Sequence, residues 1–140
     1  MKRILILILS LFALNVWAAD TGPKFDCTLT DSMVNDKVGD AKATFTTKTP
    51  KIYYVCNSDT VTKGQNVKAV WIATDTNGVA PPNYKIDEKG IDVADKLQQD
   101  QVWTGTFSLS IPDKGWPAGS YRVELYVDSK LNQTAKFDIK

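Results

Sequence analysis

The sequence predicts an all-β chain folded as a single antiparallel sandwich. Three observations carry this. The C-terminal third, Trp103 to Lys140, reads as three strands of side-chain period two joined by turn residues. Similar strands recur at short spacing through the rest of the chain, with Gly, Pro, Asn and Asp clusters between them. Only one stretch, Asp92 to Gln101, can be read as helix, with Val93 and Leu97 on one face; its polarity suits a loop equally.

Taken in order, Lys24–Thr30 is the first strand, with Phe25, Cys27 and Leu29 on one face. Asp31–Asp40 is polar and aperiodic and reads as a loop. Lys42–Thr49 reads as a threonine-rich strand, with Ala43, Phe45 and Thr47 sharing a face, and Pro50 ends it. Lys51–Asn57 alternates Ile52, Tyr54 and Cys56 against Tyr53 and Val55. Turn residues follow to Asn66. Val67–Thr74 is apolar on both faces, which marks a central strand. Asp75-Thr76-Asn77-Gly78 has turn chemistry. Val79–Gly90 contains Pro81-Pro82 and a short edge strand around Tyr84–Ile86.

In Thr104–Ile111, Phe107, Leu109 and Ile111 alternate with Thr106, Ser108 and Ser110. The connection Pro112–Gly119 holds two prolines and two glycines and cannot continue a ladder. Tyr121, Val123, Leu125 and Val127 then alternate with Arg122, Glu124 and Tyr126. Asp128-Ser129-Lys130 is short enough for a hairpin, and Ala135, Phe137 and Ile139 line the last strand. Three strands alone are marginal, so this unit calls for a second sheet over its apolar face.

Residues 1–19 read as a secretory signal peptide. Lys2 and Arg3 precede an apolar run, Ile4–Leu14, and Ala18-Ala19 supply a small-residue cleavage site. The run is too short to span a bilayer comfortably, and no later stretch is apolar enough to cross one. The remaining domain is 24–140. The whole chain has 17 basic and 16 acidic residues; losing Lys2 and Arg3 leaves 15 basic against 16 acidic, a net of −1. No basic stripe is available for nucleic acid or an anionic membrane. An exported location suits the two cysteines, Cys27 and Cys56, which are expected to pair.

The run Ile52-Tyr53-Tyr54-Val55-Cys56, then Lys63-Gly64 and Val67–Trp71, then Gly115-Trp116-Pro117-Ala118-Gly119-Ser120-Tyr121 to Tyr126, resembles bacterial exported immunoglobulin-like domains. These carry a tryptophan on a central strand and a Trp-Pro-x-Gly-x-Tyr turn before the penultimate strand. The resemblance covers about 51–140 and implies a sandwich of about seven to eight strands with a binding or spacer role. It brings no catalytic residues with it. Val123 stands where antibody-type domains have their second core cysteine.

The chain has no histidine. That removes the usual Ser-His and Cys-His nucleophiles and most catalytic zinc sites. Glutamate occurs only at Glu88 and Glu124, the aspartates fall mostly in turns, and no carboxylate pair is marked. Asp75–Gly78 lacks the later acidic ligand of a calcium loop. No cofactor or metal is expected. The aromatics remain. Trp71 reads as core. Trp116 folds back to plug one end, or else lies exposed with Trp103 and Tyr126 as a candidate binding set. The expectation is a non-enzymatic exported module of the bacterial envelope that recognises a protein partner through sheet edge or loops. The alternative is carbohydrate binding on exposed Trp103, Trp116 and Tyr126.

Overall fold

A computed structural model describes residues 22–94, 97 and 101–140. The predicted signal segment 1–19 lies outside the described residues, as do positions 95, 96 and 98–100 of the stretch that could be helix or loop. The described residues form ten strands: β1 (Asp26–Thr30), β2 (Met33–Val34), β3 (Lys37–Val38), β4 (Thr44–Phe45), β5 (Lys51–Ser58), β6 (Asn66–Asp75), β7 (Tyr84–Asp92), β8 (Trp103–Ser110), β9 (Gly119–Val127) and β10 (Lys130–Ile139).

Two sheets face each other. One has the order β1-β5-β8; the other runs β4-β10-β9-β6-β7, and β2-β3 form a separate ribbon. All pairings are antiparallel except β4 with β10, where Asp138 lies beside Thr44 and Ile139 beside Phe45. The chain therefore starts in one sheet and crosses to the far edge of the other before returning as β5.

The alternation read from sequence fixes which side of each strand faces inward. Ile52, Tyr54, Cys56, Phe107 and Leu109 meet Val67, Ala69, Trp71, Val123, Leu125, Phe137 and Ile139 in one core. Trp71 lies at its centre, with ring centroids 6.5 Å from Tyr54 and 6.1 Å from Phe137, both edge-on. Such contacts add to area burial in holding the sheets together. Tyr121 stacks on Phe137 and donates its hydroxyl proton to the Pro117 carbonyl at 2.5 Å. A buried tryptophan on a central strand, and a tyrosine tied back to the corner before its strand, are features of one sandwich type. This is an immunoglobulin-like fold.

The cysteines form a disulfide. They are directly opposite on neighbouring strands of one sheet, not on facing sheets. The Ile111 N–H donates to the Pro50 carbonyl, and antiparallel pairing alternates. Odd-numbered β8 residues therefore bond β5, which leaves Cys56 bonded to Gly105. Cys27 and Cys56 then form a narrow, non-hydrogen-bonded pair, with Cα atoms 4.1 Å apart. A bulge in β10 between Leu131 and Gln133 turns Gln133 inward. Its Nε2 donates to Cys27 Sγ at 2.7 Å and to Tyr54 Oη at 3.4 Å, joining the sheets beside the bridge.

Three elements differ from expectation. The Asp31–Asp40 loop contains the β2–β3 hairpin, whose two central residues, Asn35 and Asp36, both have positive φ. That is the backbone of a type I′ turn, for which Asn and Asp are suited. The Lys42–Thr49 strand shrinks to Thr44–Phe45, because Thr46 N–H turns to bond the buried Thr49 hydroxyl at 3.0 Å. Of its predicted inward set, Phe45 is buried and Ala43 is exposed. The Tyr84–Ile86 edge strand runs on to Asp92, so Asp92 opens no helix. The β9–β10 hairpin turns on Asp128-Ser129, with Val127 opposite Lys130.

Candidate functional site at an open sheet edge

Trp103, Trp116 and Tyr126 do not form a surface platform. Trp103 is 8% exposed and Trp116 3%. Trp103 is drawn in because its β8 neighbour on the same face is Gly105; a side chain there would strike the indole. The glycine thus provides the bed on which the ring lies, with Phe25 edge-on at 6.0 Å. Trp116 is held by two bonds to the turn between β4 and β5: its N–H to the Thr47 carbonyl at 3.0 Å and its indole Nε1–H to the Thr49 carbonyl at 2.6 Å. It plugs one end of the sandwich. Stacking on a sugar needs exposed ring faces, so the structure corrects the alternative for both tryptophans.

Tyr126 alone of the three reaches the surface, on the outer face of the five-stranded sheet. Its hydroxyl donates to Glu124 at 3.2 Å and Lys68 Nζ lies 5.4 Å from its ring centroid. Burial, with the Glu124 carboxylate beside it, holds its phenol above the ordinary range. This face is a closed lattice: Lys68 and Lys85 pair with Glu88, and Arg122 with Glu124, Thr74 and Asn83. Below it lie Val70 and Ile72, each 7% exposed. The network explains why β6 is apolar on both faces.

Every buried side-chain nitrogen or oxygen among the described residues has a hydrogen-bond partner. Asp26 and Asp59 line one shallow depression with Phe25 and Val102. Both are exposed to water.

The sheet edges differ sharply. At β1, the returning chain occupies the outer side, where Lys42 N–H donates to the Leu29 carbonyl at 2.8 Å. β4 is two residues long. β7 is long but defended. It is bulged at Ile86, between the pairs Trp71–Asp87 and Ile72–Lys85, and carries Lys85, Asp87, Glu88 and Lys89. The pairing directs Asp87 and Lys89 to the side of Trp71 and Ala69, so charges point inward on an edge strand. Bulges and inward charges are the means by which edges repel further strands.

β8 has none of these. Its eight residues, Trp-Thr-Gly-Thr-Phe-Ser-Leu-Ser, carry no charge, no proline and no bulge. Since odd residues bond β5, Thr104, Thr106, Ser108 and Ser110 aim their N–H and C=O groups at the open side, where no described strand pairs. Their side chains are exposed. The absence of charge over Trp103–Ser110 is visible in the sequence. That β8 lies at an edge is not, because that depends on sheet order.

No protein-family model matches the chain, and no curated protein matches it either. Solved structures do. A β-glucosidase from Listeria innocua in complex with laminaribiose is 9% identical with a TM-score of 0.51, covering 84% of this chain and 16% of that one. An alkylpurine DNA glycosylase from Pseudomonas fluorescens is 11% identical with a TM-score of 0.48, covering 86% and 31%. An immunoglobulin-like protein from Pseudomonas aeruginosa is 10% identical with a TM-score of 0.48, covering 84% and 92%. The chain spans about a sixth of the β-glucosidase and a third of the DNA glycosylase. At such identity the likeness is one of fold.

Proposed function

We propose that this chain is a non-catalytic, exported interaction module that takes an extended segment of a partner protein onto the free edge of β8. The observation that carries this is the contrast between edges. β7 is bulged and charged, whereas β8 leaves the outward donors and acceptors of Thr104, Thr106, Ser108 and Ser110 open along an uncharged row. Main-chain bonds to such an edge supply affinity in strand addition, and alternate side chains supply specificity. The Cys27–Cys56 bridge supports an oxidising compartment. No helix among the described residues is long and apolar enough to cross a membrane.

The test is capture from an envelope extract on immobilised chain from Ala19 onward, beside two edge variants. Thr106→Pro removes an outward N–H at a position where an edge strand tolerates proline. Thr106→Lys places a charge on the exposed face beside the edge. A partner that binds the unmodified chain and is lost from both variants bears the proposal out. Equal capture by all three sinks it.

A further inference from the structure

A cleft of about 150 Å³ opens at the Trp116 end of the sandwich, walled by Ala73, Tyr84, Ile86, Pro112, Trp116 and Tyr121. No polar atom lines it. The polar groups of its walls are already engaged. Trp116 Nε1–H is held by the Thr49 carbonyl, Tyr121 Oη–H by the Pro117 carbonyl, and the Thr76 hydroxyl accepts the Ala80 N–H at 2.9 Å. The cleft offers nothing to a sugar hydroxyl, an anion or a metal. It offers contact to carbon, in a space the size of one large side chain. Trp116 and Tyr121 are buried and fixed, while Tyr84, 51% exposed, forms the outer wall.

Its position links it to β8. Pro112 lies two residues beyond Ser110, the last residue of β8, and Ile86 and Tyr84 belong to β7 in the facing sheet. A segment laid along the open edge and running past Ser110 meets this opening. We infer that the cleft anchors one large aliphatic or aromatic side chain of the segment that pairs with β8. The inference rests on the edge proposal and adds the chemistry of the partner: an extended, uncharged-edged segment with a bulky apolar residue at the end that passes Ser110.

The test uses the isotope-labelled chain from Ala19 onward and two blocked octapeptides of alternating threonine and valine. One has leucine as its first residue, the end that an antiparallel strand brings past Ser110, and the other has aspartate there. With the leucine peptide, amide shifts are expected at Thr104, Thr106, Ser108 and Ser110 together with the Trp116 indole N–H and the Ile86 amide. The aspartate peptide is expected to shift the edge amides alone, at least tenfold more weakly. Ala80→Leu, which fills the cleft from its half-exposed turn, is expected to erase that preference and keep the edge shifts. Equal binding of both peptides, at the edge only, overturns the anchor and leaves the edge proposal standing. Cleft shifts without edge shifts, or no shifts at all, overturn both. Edge shifts that grow with protein concentration alone assign the edge to a second copy of the chain and also overturn both.

Discussion

Gly105→Ala tests whether β8 is built around its tryptophan. A Cβ at this position would lie 2.9 Å from both Cζ2 and Cζ3 of Trp103 and closer still to Cη2. The atoms met are the far end of the indole, so the ring has to move off its bed. A tryptophan buries roughly 150–250 Å². Exposing ~100 Å² of it at ~25 cal/mol per Å² costs ~2.5 kcal/mol. Losing the edge-on contact with Phe25 adds about 0.5–1.5 kcal/mol. Alanine restricts the unfolded chain and returns about 0.4–1 kcal/mol. The net expectation is destabilisation of about 2–3 kcal/mol, read as the shift in urea midpoint at unchanged slope. The same substitution in a Trp103→Ala background is expected to be stabilising by the about 0.4–1 kcal/mol that alanine returns, giving a coupling of about 3–4 kcal/mol. A neutral or stabilising Gly105→Ala in the otherwise unchanged chain would refute this account of the strand.

Trp71→Ala, at the centre of the core, is expected to cost about 3–5 kcal/mol by denaturant titration; a loss under about 1 kcal/mol would show that the ring is not central. The Cys27–Cys56 bridge, with a separation of 29 residues, is expected to contribute about 3.6 kcal/mol by the loop-entropy relation. Intact mass after alkylation should show no free thiol before reduction, and reductant should lower the midpoint accordingly. Tyr121→Phe leaves the Pro117 carbonyl without its 2.5 Å partner and is expected to cost about 1–2 kcal/mol in the same assay. Burial pushes the Tyr54 phenol up to about 12, opposed in part by the Gln133 amide. A raised phenol favours the protonated fold, so its contribution is intact below about pH 10 and is lost as pH climbs to about 12, on the order of 2–3 kcal/mol. Midpoints measured across that window should fall more steeply for the unmodified chain than for Tyr54→Phe.

Strands with a face in the core were legible because burial writes a period of two into the sequence: β5, β6 and β8 lie within one residue of their predicted bounds and β9 within two. β7 was not, beyond Ile86. This edge strand is exposed along most of its length, with Ile86 and Ile91 half-buried, so Lys85 to Gly90 shows no alternation to read. The β2–β3 hairpin had a signal, Asn35-Asp36 between Val34 and Val38, that was weak beside so much polar sequence. The Lys42–Thr49 pattern misled because threonine serves turns as well as strands, and Thr49 uses its hydroxyl to curl the backbone. For Trp103, the deciding residue was a glycine two positions on, whose significance depends on which way a ring falls. The open edge was hidden for a broader reason. Sheet order is set by long-range pairing, and no local pattern in Trp103–Ser110 states which neighbours it has.

The disulfide also changes how this domain would carry a load. Pulled at points before Cys27 and after β10, the chain passes tension from Cys27 directly to Cys56. The intervening residues, with the β2–β3 hairpin and β4, hang slack beside the line of force. The parallel β4–β10 pair, which would otherwise be sheared along its length, is shielded. A stretched molecule is then shorter by about 100 Å, from 29 residues at ~3.4 Å each. Reduction brings β4 into the load path and releases that length, so the redox state of one cross-strand pair sets both the extension of the domain and the strand that yields first.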